Sequence, residues 1–221
     1  QLDDMSFRYL EPRRYHHIEK LMPTRVTERG GFIEQAIPTL RVVLEHHWTV
    51  SLSSGLQEDQ IWREHIEPLM KKLNTGPNVT DICHYGFTEM VNNAIEHSEG
   101  KEISIHIALS VRLIEFIVSD DGVGIFAKVA KALNLPDPRH SLLELAKGKF
   151  TTDKERHSGE GIFFTSRMFD RFVLMSGSLA LVHKVDREDW LIEDEAPRKG
   201  TSVFMTLRLP SKRTSSEVFL K

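Results

Sequence analysis

The 221-residue sequence holds a single cysteine, Cys83. That excludes an internal disulfide and a multi-cysteine zinc site, and it fits a reducing compartment. No apolar run approaches the roughly 18–20 residues that span a bilayer, and the opening QLDDMSFRYL lacks the charged-then-apolar order of a signal peptide. Nor does one sign of charge dominate. The 29 Lys and Arg face 32 Asp and Glu, a formal charge of -3, which argues against broad attraction to nucleic acid or to a membrane surface. No internal repeat or low-complexity tract is present. The expectation is a cytoplasmic chain with no membrane partner. It begins at Gln1 rather than Met, and so reads as a fragment that a sensor or DNA-binding part could precede.

What is there suffices for a core: 40% hydrophobic against 28% charged residues places the chain among folded rather than disordered sequences. Composition shifts near residue 56. Residues 1–56 carry seven Lys or Arg against seven Asp or Glu, with histidine pairs at His16/His17 and His46/His47. Phe32, Ile33, Ala36, Ile37, Leu40, Val43 and Leu44 fall at helical spacing around a kink at Pro38, so a helix is expected over 32–44. The even charge gives no ground for placing this part on DNA. The histidine pairs read as surface or packing residues, since a metal site needs a third ligand.

The pattern sharpens from Leu56 onward. Ile61, His65, Leu69 and Leu73 form one helical stripe, ended by NTGPN. A second helix is expected from Val79 to His97, with Cys83 as a small core residue on it. ISIHIAL and RLIEFIVS alternate with period two, as in a hairpin, and run into a glycine loop. FAKVAKALNL and SLLELAKG then read as helices split by PDP. KFTTDKERHSGEG reads as a polar, mobile segment. A helix over 161–171, in which Phe163, Phe164, Met168 and Phe172 face the core, precedes strands near 172–175, 179–183 and 201–209. This order implies an α+β, two-layer sandwich, with helices on one face of a sheet.

Three segments carry chemistry together. Glu89, Asn93 and His97 are spaced by four and share a helix face. The Asn93 carbonyl oxygen is a hard ligand suited to Mg2+, and Glu89 one turn earlier can orient or deprotonate an attacking hydroxyl. Asp120, Gly122 and Gly124 follow an apolar strand with Asp-x-Gly-x-Gly spacing. A carboxylate there can accept from an exocyclic amine such as that of adenine, and the glycines let backbone pass close to a ligand. Gly159 and Gly161 open an amphipathic helix whose free N–H groups suit phosphate. Thr201, after Gly200, starts the last strand.

In order and spacing these segments resemble the GHKL ATPase superfamily, whose ATP site is the Bergerat fold. Glu89–Asn93 is similar to its N box, Asp120–Gly124 to its first glycine box, Gly159–Gly161 to its second, and Thr201 to its late nucleotide-contacting threonine. Phe150-Thr151-Thr152, Glu155-Arg156 and Ser158–Gly161 are most similar to the anti-sigma-factor serine kinases. The resemblance covers about 57–209, and makes 57–210 an ATP-binding domain between an N-terminal segment, 1–56, and a tail, 211–221. It implies Glu89 as general base, Asn93 as Mg2+ ligand, Asp120 as the adenine-reading carboxylate and Arg156 as a γ-phosphate contact. Lys147, Lys149 and Lys154 are further basic residues for phosphate charge. The sequence departs from the kinase pattern at His157, an extra residue between Arg156 and Ser158. It also has about 34 residues between the glycine boxes, long enough for an enlarged lid.

The resemblance implies ATP and Mg2+ as cofactors and a regulatory protein as partner, phosphorylated or switched in an ATP-dependent way; a homodimer is compatible with it. Another reading is a conformational switch or slow ATPase without kinase activity. A third is the nucleotide-binding part of a transcriptional regulator, with DNA reached through a segment not recognisable in the sequence. A fourth is a histidine kinase with His17 as phosphoacceptor, although Ile18 follows where a carboxylate is expected.

Overall fold

The computed structural model describes residues 8–9, 42–53, 55–146, 160–185 and 187–220. In chain order come β1 (Arg8–Tyr9), β2 (Val42–Ser51), α1 (Glu58–Ile61), a π-helical turn (Trp62–Ile66) and α2 (Glu67–Leu73). Then follow α3 (Pro77–His97), β3 (Glu102–Ser110), β4 (Leu113–Asp120), α4 (Ile125–Ala132), α5 (His140–Ala146), α6 (Gly161–Met168), β5 (Arg171–Lys184), β6 (Arg187–Arg208) and α7 (Ser215–Phe219).

β2 to β6 make one antiparallel sheet in the order β2-β3-β4-β6-β5, with β1 alongside the first half of β6 in parallel. The expected hairpin is β3–β4, paired from Ile103↔Asp120 to Leu109↔Ile114. Its alternation decides what the sheet buries. Ile103, Ile105, Ile107 and Leu109 of β3 join Ile114, Phe116 and Val118 of β4 in one core with Ile82, Phe87, Met90 and Val91 of α3. Phe87, Phe116, Phe126, Phe169 and Phe172 are fully buried, each contributing about 1.5–3 kcal/mol by leaving water. Cys83 is also fully buried there, and burial pushes its thiol pKa up. The sheet packed against helices is the expected α+β sandwich.

Several local expectations are corrected. The helix expected over 32–44 gives way at its end to β2, which runs from Val42 and pairs along β3 from Val42↔Ser110 to Ser51↔Glu102. Leu44, Trp48 and Val50 pack on the core at even positions, a period-two signal that short helical spacing masks. The part of that helix before Val42, and His16 and His17, lie outside the described residues. The expected division at residue 56 falls between a strand of the sheet and α1.

The first helical stripe is also rotated. The wider π-helical turn advances the phase, so Trp62, Ile66 and Met70 are buried with Ile61, while Leu69 and Leu73 are half-buried. His65 stacks on Trp48 at 4.9 Å instead. α6 ends at Met168 rather than 171, because Phe169 is already extended (φ -90, ψ 153). Met168 and Phe172 are buried as expected, but Phe163 and Phe164 are half-buried.

The two strands expected at 172–175 and 179–183 are one strand broken by a bulge at Ser176–Gly177, where Gly177 takes φ 58. The extra residue flips the alternation. Phe172 and Leu174 face the helices before it, and Leu179 and Leu181 after it, leaving Val173, Met175, Ala180 and Val182 in a second cluster with Phe204. The last strand begins at Arg187 rather than near 201, since pairing to β5 carries it through a charged stretch with little strand propensity of its own. No helix among the described residues is long and apolar enough to cross a membrane.

Candidate functional site

α3 buries Val79, Ile82, Cys83, Phe87, Met90, Val91 and Ala94 on one side. Tyr85, Glu89, Asn93 and His97 form the neighbouring i, i+4 row, all half-buried, at the boundary between core and solvent. Pro77 starts the helix where its missing N–H costs nothing. At the other end the Lys128 ammonium donates to the His97 carbonyl oxygen (2.7 Å) and to Glu99 (2.9 Å), a cation against the negative pole of the helix.

Two groups of residues come together along this helix. The first lies past its C-terminus. Asp120, at the end of β4, accepts from Gly122 N–H (2.9 Å) and Thr201 N–H (3.3 Å) on Oδ1. Thr201 in turn accepts from Ile125 N–H at Oγ1 (3.0 Å), satisfying a free donor in the first turn of α4. Burial raises the Asp120 pKa above the ordinary range, and those two backbone donors oppose it only in part. The glycines are required here. Gly124 (φ 85) and Gly200 (φ 73) hold the left-handed conformation, and a Cβ would overlap Ser176 Oγ at the first and the Asp120 backbone carbonyl at the second. At Gly122 a Cβ would meet the Ser98 carbonyl.

The neighbouring carboxylate has a different task. Asp121 accepts from Lys101 N–H (2.6 Å) and Glu102 N–H (3.1 Å), which fixes the start of β3 and lowers the Asp121 pKa. Asp120 faces the glycine loop, and Asp121 the turn before β3.

The second group lies about 13 Å back along α3, at 1.5 Å per residue from Ser98 to Glu89. Here the first turn of α6 meets Glu89 so closely that a Cβ on Gly161 would overlap Glu89 Oε2. Tyr85, one turn before Glu89, has its hydroxyl pKa raised by burial and by the charges of Glu89 and Glu160. Asn93 stands between the two groups, one turn from Glu89. Lys149, Arg156 and Gly159 lie outside the described residues, as do Lys147 and Lys154.

Sequence reasoning missed Tyr85, although it extends the Glu89, Asn93, His97 ladder by one step of four. It missed Ser176, which donates to the Gly200 carbonyl (3.0 Å) and has no local signal. Gly86 was missed too: a Cβ there would overlap the Phe169 ring, so α3 and α6 approach closely only because it is glycine. His46 and His47 are exposed on β2, and the His47 ring lies 2.9 Å from Ser104 Oγ. Among the described residues no group of His, Cys, Asp and Glu could hold a metal ion by itself.

An antiparallel sheet lies under helices, with a carboxylate and two tight glycine turns at one end of a long helix and a second carboxylate at a helix start. The family model described as histidine kinase-, DNA gyrase B-, and HSP90-like ATPase matches residues 79–212, more than half of the chain. The chain belongs to that family and carries its ATP-binding domain. Comparison with curated proteins finds no match.

Proposed function

We propose that the chain is an ATP·Mg2+-dependent regulator that transfers the γ-phosphoryl group to a serine or threonine of a protein partner. The carrying observation is the seat of Glu89, a half-buried carboxylate held against the first turn of α6 and one turn from Asn93. In this reading the Asp120 carboxylate takes the exocyclic amine of adenine, and Gly122, Gly124 and Thr201 shape the loop around the nucleotide. The N–H groups at the start of α6, with Gly159, Lys149 and Arg156, take phosphate oxygens. Glu89 accepts the proton of the attacking hydroxyl.

The donor set fits the ligand. Asp120 is an acceptor whose Oδ1 is already fixed by two backbone N–H groups, so it meets the amine pre-oriented. Asn93 supplies one hard oxygen, and one or two protein ligands suffice for Mg2+ when phosphates complete the shell. Bound Mg2+ would neutralise phosphate charge. Localisation to the cytoplasm, a regulatory role and a homodimer belong to the same proposal.

Following labelled γ-phosphate in the presence of candidate partners is the test. Label on a partner serine or threonine supports the kinase reading. Label released only to water replaces it with a slow ATPase, and label that stays on ATP replaces it with a switch.

Two variants probe the parts. Asn93→Ala is expected to weaken ATP binding in Mg2+ about tenfold and much less in EDTA, because the lost oxygen serves the metal and not the base. Titration calorimetry in both buffers checks this, and an equal loss in both would make Asn93 structural. Gly161→Ala is expected to lower turnover about tenfold or more without lowering the melting temperature. The new Cβ displaces the flexible end of Glu89, while alanine is compatible with the first turn of a helix and limits the unfolded chain more than glycine does. Turnover and thermal unfolding on one preparation separate the two effects.

A further inference from the structure

The Glu89–Gly161 contact exists only while α3 and α6 keep their separation, and α7 touches both helices beside it. Phe219 of α7 meets Tyr85 edge-on at 5.3 Å and Phe164 edge-on at 4.8 Å. Tyr85 is one turn from Glu89 on α3, and Phe164 is one turn from Gly161 on α6. The ring of Phe219 therefore bridges the two helices one turn from the Glu89–Gly161 contact.

The chain leading into α7 is fastened to both helices as well. Asn78, in the first turn of α3, donates from Nδ2 to the carbonyls of Ser211 (2.8 Å) and Arg213 (3.0 Å). The Arg213 guanidinium donates to the Met168 carbonyl at the end of α6 and pairs with Asp170 at 3.2 Å. A capping box between Thr214 and Glu217 starts α7, and Val218 is buried under it.

We propose that α7 clamps the catalytic contact and that Phe219 is a positioning residue for Glu89, setting the distance between α3 and α6 at which the carboxylate lies against Gly161. The inference rests on the reading of Glu89 as the base. Phe219 is itself 45% exposed, so removing its ring takes little area from the core. A clamp and a stability role therefore make different demands on the same residue.

The test uses the full chain with Phe219→Ala, Phe219→Tyr, Arg213→Ala and Glu89→Ala, measuring ATP affinity, kcat against pH with labelled γ-phosphate, and amide exchange over 164–168, where the α6 amides are hydrogen-bonded. Phe219→Ala is expected to lower kcat about tenfold or more with ATP affinity within about threefold, and to move the acid limb of the kcat profile as Glu89 changes surroundings. Phe219→Tyr should restore most of the rate, and Arg213→Ala should follow Phe219→Ala. If Phe219→Ala keeps wild-type kcat and pH profile while Glu89→Ala is inactive, the clamp is wrong and the base assignment stands. If Glu89→Ala turns over like wild type, both fall. If the wild-type chain shows no turnover, the kinase reading falls and amide exchange decides the clamp. Faster exchange over 164–168 in Phe219→Ala supports it, and identical exchange overturns it.

Discussion

Glu89→Ala is expected to lower phosphoryl transfer by about 10²–10⁴-fold while ATP affinity stays within about threefold, because a general base acts on the attacking hydroxyl and makes little contact with bound nucleotide. The geometry sharpens this expectation. Glu89 is half-buried, lies at the start of α6 and is flanked by Tyr85 and Glu160, so it is neither a solvated surface carboxylate nor part of the core. A solvated carboxylate would leave both affinity and rate unchanged on truncation. A structural one would lower the melting temperature along with both. Titration calorimetry, single-turnover transfer and thermal unfolding on the same preparation distinguish the three outcomes. Loss of rate alone supports the base; an unchanged rate, with Asn93→Ala inactive, would keep the metal ligand and remove the base.

The parts of this molecule legible in the sequence are those whose signal is local. The β3–β4 hairpin alternates cleanly because one face is buried in the main core, so each second residue must be apolar. α3 is long enough for its stripe to outweigh a single glycine and several polar residues. The segments lost were those where neighbours decide. Among the described residues β2 is a sheet edge with only every second residue packed, and its histidines dilute the alternation. The first half of β6 is a strand because β5 is beside it. The bulge at Ser176–Gly177 makes one strand read as two, since the alternation changes sign at a point the sequence marks only with glycine.

The site divides along the same line. Glu89 and Asn93 stand out by spacing on one helix, and Asp120 with its glycines by spacing on one loop. That Thr201 lies next to Asp120 is a long-range fact, created by pairing Ser119 with Ser202 across β4 and β6. Within one segment nothing announces it, and only the order of all the segments together does. Tyr85 and Phe219 are further from view still, because their link runs between the middle of α3 and the end of the described chain.

Asp120→Asn is expected to weaken ATP binding by about 10–100-fold, or about 1.4–2.8 kcal/mol, and to leave the melting temperature unchanged or higher. Asparagine keeps an Oδ1 that accepts from Gly122 and Thr201, so the loop has no cause to unfold. Its second atom becomes an N–H donor and meets the adenine amine donor against donor. The stability arm follows from the pKa. Burial raises the folded-state pKa of Asp120 above its unfolded value, so its favourable contribution exists at acid pH and is lost as pH rises through the folded pKa. At neutral pH the ionised carboxylate is a cost to folding, and the amide removes it. ATP affinity of the wild-type chain should fall in turn as pH drops through that raised pKa, since protonation removes the acceptor, and Asp120→Asn should lack this acid limb. Calorimetry across the acid range, beside thermal unfolding at neutral pH, reads both quantities. An affinity equal to wild type at neutral pH would remove Asp120 from the adenine pocket, whereas a collapsed melting temperature would make it a structural residue of the glycine loop.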